Sequence, residues 1–170
     1  MKPRLTILVG MIASGKSTYC AEAANNGCII INDDAIVSAV HGGNNTLYRK
    51  DLKPLYKSIE NHIIGLAFAM GLNVVIDRPC FRATTRARYI SLAQSLDIPV
   101  DAVVFQREAP EVHAMRRAKS DSRGYRYEWW LKAAQAHNDA WVEPSKSEGF
   151  DTISMSFVVS GMTSCESDLI

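Results

Sequence analysis

Near the start of the chain, two glycines, a lysine and a hydroxyl residue stand at a spacing that suits phosphate binding. Residues 10–18 read GMIASGKST and match the pattern G-x-x-x-x-G-K-[ST]. Glycines let the backbone curl around an anion, so that successive N–H groups point into one concavity. The lysine is expected to reach the β- and γ-phosphates of a nucleotide, and the hydroxyl of Ser17 is expected to ligate Mg²⁺. The candidate nucleotide-binding residues are therefore Gly10, Ala13, Ser14, Gly15, Lys16, Ser17 and Thr18.

The segments on either side of this motif decide its interpretation, because the pattern alone is common. Residues 5–9 form an almost continuous apolar run, as expected of a strand that is buried on both faces. Residues 17–26 predict a helix that Gly27 ends, and its N-terminus adds a positive dipole end. This strand–loop–helix order favours a phosphate-binding loop over an ordinary glycine-containing turn.

Acidic side chains follow two further predicted strands. Asp33 and Asp34 come after the strand 28–31, and Asp77 ends the strand 72–77. Polar residues at the carboxyl ends of strands in an α/β sheet lie where ligands bind. Asp33 is expected to accept the proton of an attacking hydroxyl, or else to cap a helix, although Asp34 suits the cap better. Asp77 is expected to ligate Mg²⁺ through water or to orient the base, or only to cap its turn.

Two groups of arginines could contact phosphates. Arg117 and Arg123 are expected to close over the γ-phosphate as a lid, or else to lie on a solvated surface. Arg78 and Arg82 follow the third strand, and Arg86 and Arg88 lie on the helix after them. This second group could hold phosphates of the acceptor, with a solvated helix face as the alternative.

The order of the elements predicts one α/β domain with a five-stranded, mainly parallel sheet and helices on both faces. The domain spans residues 1–159, and the Ser-rich, acidic segment 160–170 is expected to be a flexible tail. Asp51 is expected to cap the helix 51–70. Base stacking is one interpretation of Tyr125, Tyr127, Trp129 and Trp130. The favoured interpretation is a core stripe at helical spacing, formed by Trp130, Ala134, His137 and Trp141. The apolar stripe of the helix 51–70 comprises Leu55, Ile59, His62, Ile63, Leu66 and Met70. The predicted strands are 5–9, 28–31, 72–77, 100–106 and 152–159, and the predicted helices are 17–26, 34–41, 51–70, 83–95, 110–117 and 127–141.

Composition narrows the class of protein. The chain has 170 residues, of which 47% are hydrophobic and 22% charged, and its formal net charge is +1. With a charge so close to zero, any polynucleotide must be held by a local basic patch. No stretch approaches the roughly 18 apolar residues of a membrane span, and the N-terminus shows no signal peptide. We expect a cytoplasmic protein, or a phage protein acting in the host cytoplasm, whose four cysteines are reduced thiols.

The chain resembles the 5′-hydroxyl polynucleotide kinase family of P-loop phosphotransferases over residues 4–155. The resemblance rests on the P-loop, the Asp33-Asp34 pair, Asp77, the arginine of Arg123-Gly124 and the ending at 143–151. It implies a P-loop kinase fold, ATP and Mg²⁺ as cofactors, and catalysis by Asp33, Lys16 and Arg123. Ile36 departs from the pattern, because the family carries there an arginine that helps to hold the acceptor phosphate.

The acceptor that this resemblance implies is a nucleic-acid hydroxyl, either a 5′-OH end of DNA or RNA or a hydroxymethyl group on a base in DNA. Asp33, Asp77, Arg78 and Arg82 would contact this acceptor, and Ser17 and Asp77 would hold the metal. Two alternatives are a kinase of a nucleoside, sugar or antibiotic, and a non-catalytic nucleotide-binding module.

Overall fold

A computed structural model describes residues 2–121, 124–159 and 162–166, with side chains up to residue 156. The strands are β1 (Leu5–Val9), β2 (Ile29–Ile31), β3 (Val74–Ile76), β4 (Val100–Phe105), β5 (Thr152–Val159) and β6 (Met162–Glu166). The helices are α1 (Lys16–Asn25), α2 (Asp33–Val40), α3 (Lys53–Ala69), α4 (Ala83–Ser95), α5 (Pro110–Ser120) and α6 (Tyr127–Asp139). Short 3₁₀ turns lie at Asn45–Leu47, Lys50–Leu52 and Lys146–Glu148.

The strands form one sheet in the order β2-β3-β1-β4-β5-β6, parallel except for the last pair. Leu5, Ile7 and Val9 of β1 pack with residues of α3 and α4 on one face. Leu8 packs with residues of α1 on the other face. Side chains of a strand alternate between the two faces, so an unbroken apolar run requires helices on both. The predicted α/β fold, with its parallel strands and two helical layers, is confirmed.

The register of the strands brings the candidate site together. Ile7 of β1 and Ile31 of β2 both lie beside Ile76 of β3. The three strands therefore end at the same edge of the sheet, and the P-loop, Asp33 and Asp77 follow them there. In the sheet, β1 lies between β3 and β4, so the chain adds strands first on one side of β1 and later on the other. The P-loop follows β1 and therefore lies at the point where the strand order reverses. None of the helices among the described residues is both long and apolar enough to cross a membrane.

Part of the segment that was expected to be a flexible tail forms a strand, and residues 160–161 and 167–170 of that segment lie outside the described residues. Residues 162–166 form β6, which pairs antiparallel with β5 from Val159↔Met162 to Met155↔Glu166. A strand at the edge of a sheet leaves a row of N–H and C=O groups to pair, and β6 satisfies that row on β5. The polar composition of the segment hides this pairing, since a partner strand at an edge does not need a strong apolar pattern of its own.

Helix α3 buries a different face from the predicted one. The buried residues are Tyr56, Glu60, Ile64, Ala67 and Phe68. The predicted stripe is displaced from this face by one residue, and its last member, Met70, is 73% exposed. A glutamate in the middle of the buried row breaks its apolar pattern, which is why the neighbouring row looks more hydrophobic in the sequence. The prediction that Asp51 caps the helix is also wrong, because Asp51 lies in the preceding turn and binds Arg49.

Arg86 is a structural residue of the core rather than a contact for an acceptor. Its side chain is fully buried in α4, and its guanidinium forms two hydrogen bonds with the carboxylate of Glu148, of 2.7 and 2.8 Å. Its remaining nitrogen donates to the carbonyls of Cys80 and Val142. Arg86 therefore ties α4 to the segment that leads into β5.

Replacing Glu148 with glutamine is expected to lower the free energy of unfolding by about 2 kcal/mol, the scale of a hydrogen bond to a charged group. The amide keeps the shape of the side chain but leaves the buried Arg86 guanidinium without a neutralising charge. Urea unfolding measures the loss. Glu143→Gln is the matched control, since Glu143 is exposed and binds only the indole of Trp141 in the described structure. Equal stabilities of the two variants would contradict the role given to Arg86.

Candidate active site

The P-loop has the backbone that its glycines predict. A Cβ atom at Gly10 would lie 2.5 Å from the Ser14 hydroxyl oxygen, so only glycine fits there without displacement. Gly15 has a φ of 100° and Ala13 a φ of 49°, both in the left-handed region. Such alternation turns successive N–H groups toward one side and forms a concave site for an anion. The loop ends where α1 begins at Lys16, and the exposed Ser17 and Thr18 lie in the first turn.

The side chain of Lys16 folds back onto this loop. Its Nζ donates to the carbonyls of Gly10 at 3.0 Å and Met11 at 2.5 Å, and to the Ser14 hydroxyl at 3.3 Å. The lysine is only 8% exposed, so the loop shields most of its side chain from solvent. Burial lowers the pKa of Lys16 to about 8, and the charge of Asp77 opposes this shift. The ammonium therefore still carries its positive charge at pH 7.

Asp77 is linked to the end of β2 by a hydrogen bond. The side-chain amide of Asn32 donates to the Asp77 carboxylate at 2.9 Å. The oxygen of the same amide accepts from the backbone N–H of Ala35 at 3.1 Å and caps α2. The prediction that Asp34 caps this helix is wrong, because α2 starts at Asp33 and the cap falls on the residue before it. Both aspartates are thereby left available for other contacts.

The environment of Cys20 also places Asp77 beside α1. Burial raises the pKa of the Cys20 thiol to about 12, and a hydrogen bond to Asp77 adds to the shift. Asp77 therefore lies near the part of α1 that carries Lys16 and Cys20.

Asp33 lies at the mouth of a cleft and forms an ion pair with Arg78. The Asp33 side chain is 52% exposed, whereas most of the Arg78 side chain is buried. Burial lowers the pKa of Arg78. Arg78 thus lines the cleft, and its guanidinium is paired with a carboxylate. The interpretation of Asp33 as a helix cap is wrong, since Asn32 has that role.

The cleft beside Asp33 has a volume of about 480 Å³. It lies between α2, the start of α3 and the start of α4. Six charged side chains line it, namely Asp33, Asp34, Lys53, Lys57, Arg78 and Arg88. Arg82 does not line the cleft; it is exposed and stacks on the ring of Phe81 at 5.8 Å. The lining therefore carries two carboxylates and four cations.

A second cavity, of about 280 Å³, borders the P-loop itself. Ala13, Ser14 and Gly15 line it together with Gln106, Glu108 and Arg116. Arg116 is held by the carboxylate of Glu108 through both of its terminal nitrogens. Arg116 could not be selected from the sequence, because an arginine that lines a cavity has no pattern that distinguishes it from a solvated arginine in the same basic run.

Arg117, one of the two predicted lid residues, lies on α5. Its guanidinium lies 5.0 Å from the centre of the Trp130 ring, and Trp130 packs with Met11 of the P-loop. Its role as a lid stays a prediction. Arg123, the other predicted lid residue, lies outside the described residues.

The aromatic residues of α6 divide between core and surface. Trp130 and Ala134 are buried with Met11 of the P-loop, as the core interpretation predicts. Tyr125 and Trp129 are about half exposed and stack on each other, with ring centres 4.6 Å apart.

The predicted magnesium ligands fit the usual chemistry of that ion only together with phosphate oxygens. Among the residues that the structure describes, no three His, Cys, Asp or Glu side chains gather into a metal-binding group. Mg²⁺ is commonly bound by one or two carboxylates plus substrate phosphates and water. The exposed hydroxyl of Ser17 and the Asp77 carboxylate beside α1 are donors of the right kind.

The sequence analysis missed the buried carboxylate of Glu60. Its Oε2 accepts from Arg88 at 2.9 Å and lies 3.8 Å from Arg78, and its Oε1 accepts from the Tyr89 hydroxyl at 2.5 Å. The signal in the sequence is weak: Glu60 stands four residues after Tyr56 and four before Ile64, in a row that proves to be the buried face of α3.

Known structures with this fold include several kinases. A chain of the Pnkp1/Rnl/Hen1 RNA repair complex has a TM-score of 0.64 at 17% identity, over 82% of this chain and 46% of that chain. The APS kinase CysC of Mycobacterium tuberculosis, in complex with AMPPNP and APS, has a TM-score of 0.61 at 13% identity, over 91% of this chain and 88% of that chain. A putative kinase from Chloroflexus aurantiacus has a TM-score of 0.60 at 16% identity, over 78% and 75%.

The chain spans less than half the length of the RNA repair chains that it matches. A search of the curated proteins finds no match. A family model described as an AAA domain matches residues 5–142, which include the P-loop, both strand-end aspartates and Arg117. The chain therefore belongs to the AAA-domain family.

Proposed function

We propose that the protein transfers the γ-phosphate of ATP to a hydroxyl of a nucleic acid, which it binds in the cleft beside Asp33. The observation that carries this proposal is the link between the cleft and the P-loop. Asn32 binds Asp77 beside α1, and the next residues of the two strand ends, Asp33 and Arg78, line the cleft. The Asp33 carboxylate therefore lines a cleft of substrate size and is the next residue after Asn32, which binds Asp77.

The roles of the residues follow from this arrangement. The acceptor hydroxyl gives its proton to Asp33 as its oxygen attacks the γ-phosphorus, and ADP leaves with the electrons of the broken P–O bond. The P-loop amides, Lys16 and Arg117 stabilise the negative charge on the phosphate oxygens, and Arg123 is proposed to join them. Ser17 and Asp77 would hold Mg²⁺, which neutralises the charge that develops on the phosphates.

The acceptor is expected to carry an anionic group near its hydroxyl. Ile36, at the position of the family's phosphate-holding arginine, is buried in the core and cannot reach a ligand. Arg78 is paired with Asp33 and Arg82 lies outside the cleft lining. Among the described residues, the lining cations without such a carboxylate partner are Lys53 and Lys57, one turn apart on α3, whereas Arg88 is paired with Glu60. A phosphodiester next to a terminal or base hydroxyl supplies such an anion.

A small-molecule kinase is the second candidate, and the size of the cleft favours it. A volume of about 480 Å³ is within the usual range of small-ligand sites, roughly 300–1,000 Å³. The solved structures of similar fold include a gluconokinase and an APS kinase besides the RNA repair complex. A non-catalytic nucleotide-binding module fits less well, because a pure switch does not need a carboxylate at the entrance to a second cleft.

Transfer of radiolabel from γ-labelled ATP to a panel of acceptors distinguishes these functions. The panel contains 5′-OH DNA, 5′-OH RNA, DNA with hydroxymethylated bases, nucleosides and sugars. We expect label on one of the polynucleotides. Label on nucleosides or sugars alone would establish the second candidate, and no transfer to any acceptor would support the non-catalytic module.

The double variant Lys53→Ala/Lys57→Ala is expected to bind polynucleotide more weakly and with a flatter salt dependence. Each lost phosphate contact lowers the slope of log affinity against log salt by roughly one unit. The control is Lys2→Ala/Lys146→Ala, which removes two exposed lysines outside the cleft lining. Titration of labelled DNA and RNA at several salt concentrations gives both quantities. Equal slopes for the two double variants would exclude the lysines of α3 from the acceptor site.

A further inference from the structure

We propose that Glu60 is a positioning residue of the acceptor site: its buried carboxylate fixes Arg88 and steers Arg78, and Arg78 in turn orients Asp33. This inference rests on the proposed function for the role of Asp33 as the base. The contacts themselves are independent of that role, so the two can fail separately.

The carboxylate of Glu60 is buried and fully paired. Its side chain is 1% exposed, in the middle of α3. A carboxylate removed from water is costly unless it is paired and hydrogen-bonded, and here both oxygens have partners. The Tyr89 hydroxyl donates to Oε1 and the guanidinium of Arg88 donates to Oε2. Burial and the charge of Glu60 both raise the pKa of Tyr89, which keeps the phenol protonated as a donor.

Arg78 lies between two carboxylates and links Glu60 to Asp33. One terminal nitrogen pairs with Asp33, and the same nitrogen is 3.8 Å from Oε2 of Glu60. The guanidinium also lies 5.8 Å from the centre of the Tyr89 ring. Its position is thus set by α3, α4 and α2 together. A rigid planar guanidinium held in this way can fix the orientation of a carboxylate.

Arg88 is the second arginine that Glu60 holds. Its second terminal nitrogen donates to the side-chain oxygen of Asn61 at 2.8 Å, so two adjacent residues of α3 hold the guanidinium. Arg88 and Arg78 both line the cleft. One buried carboxylate therefore sets the positions of two cations that face the acceptor, and through Arg78 it reaches the partly exposed Asp33.

Kinetics of Glu60→Gln against Tyr89→Phe separate positioning from stability. Both variants weaken the contacts of the same buried group, but only Glu60→Gln removes the charge that attracts the arginines. We expect kcat to fall by about tenfold or more in Glu60→Gln, since small displacements of a catalytic group are costly, with KM for ATP unchanged. Tyr89→Phe keeps the charge of Glu60 and the ring beside Arg78, so it should lower the unfolding midpoint and reduce kcat by clearly less than Glu60→Gln does. Equal kcat values in the two variants would reduce Glu60 to a structural residue and overturn the proposal.

Arginine side-chain ¹⁵N NMR gives a readout that does not depend on activity. In the wild type, the guanidinium groups of Arg78 and Arg88 should show slow rotation, as ordered groups do. In Glu60→Gln this order should be lost, while Tyr89→Phe should retain it. Unchanged Arg78 signals in Glu60→Gln would overturn the proposal. If the wild type shows the ordered arginines but phosphorylates no acceptor, the proposed function fails and the arginine network stands.

Arg78→Ala tests the last link if Glu60→Gln does not fold. Loss of the guanidinium should lower kcat by at least as much as Glu60→Gln, and guanidinium ion in the buffer should restore part of it. Arg82→Ala is the matched control, since this arginine follows the same strand and lies outside the cleft lining. A full kcat in Arg78→Ala would show that Asp33 needs no orienting partner, against the proposal.

Discussion

Replacing Lys16 with alanine is expected to lower phosphoryl transfer by about 10³-fold or more and to leave the fold intact. The lysine is the fixed positive charge of the P-loop, and removing one donor from a preorganised anion site commonly costs 10²–10³ in kcat. The motif also places the Lys16 ammonium against the β- and γ-phosphates of ATP, so ATP binding should weaken as well. Radiolabel transfer and calorimetric titration with ATP measure the two effects.

The stability of the wild type should depend on pH in a way that this variant lacks. The pKa of Lys16 in the folded chain, about 8, is below its ordinary value of 10.5. The unfolded chain therefore holds the proton more tightly, and the free energy of unfolding of the wild type should rise between about pH 8 and pH 10.5. Lys16→Ala lacks this contribution, so the difference between the two proteins should grow over that interval.

Urea unfolding at pH 7 and pH 10 measures this difference, with Lys132→Ala as a control for an exposed lysine. An Lys16→Ala protein that is unfolded at pH 7, or that keeps full activity, would contradict the position of the lysine described above.

The parts of the fold that follow from local pattern could be predicted from the sequence. The bounds of β1, α4 and β5 agree with the prediction, because apolar runs and helix-forming segments there have clear ends. The P-loop could be predicted as well, because its glycines are required by local backbone geometry at Gly10 and Gly15. Parallel strands with helices on both faces then place the strand-end aspartates at one edge without further information.

The parts of the site that depend on packing between distant segments could not be predicted in this way. Which arginine lines the cleft depends on how α4 begins: Arg78 is turned inward to Asp33, Arg82 outward to Phe81, and Arg86 into the core. Glu60 was missed because a buried carboxylate contradicts the apolar pattern that identifies a core face. Its partners are on another helix, 28 and 29 residues away along the chain.

Asp33→Asn is expected to lower kcat by about 10²-fold or more while leaving the affinity for ATP near that of the wild type. The asparagine has the same size and can still accept a hydrogen bond from Arg78, but it cannot take the proton of the acceptor hydroxyl. A loss of this size is the usual contribution of a general base. Steady-state kinetics with the preferred acceptor and calorimetry with ATP give the two numbers.

Asp34→Asn is the matched control, because Asp34 is the next residue of α2 and lines the same cleft. The structure pairs Arg78 with Asp33 and gives Asp34 no ion pair among the described residues. Of the two, Asp33 is therefore the one whose orientation is fixed by an ion pair, and Asp34→Asn should lower kcat by no more than about threefold. Equal losses in the two variants would mean that the pair acts through its combined charge. A larger loss for Asp34→Asn would move the base to that residue and make the Asp33–Arg78 pair part of the cleft wall.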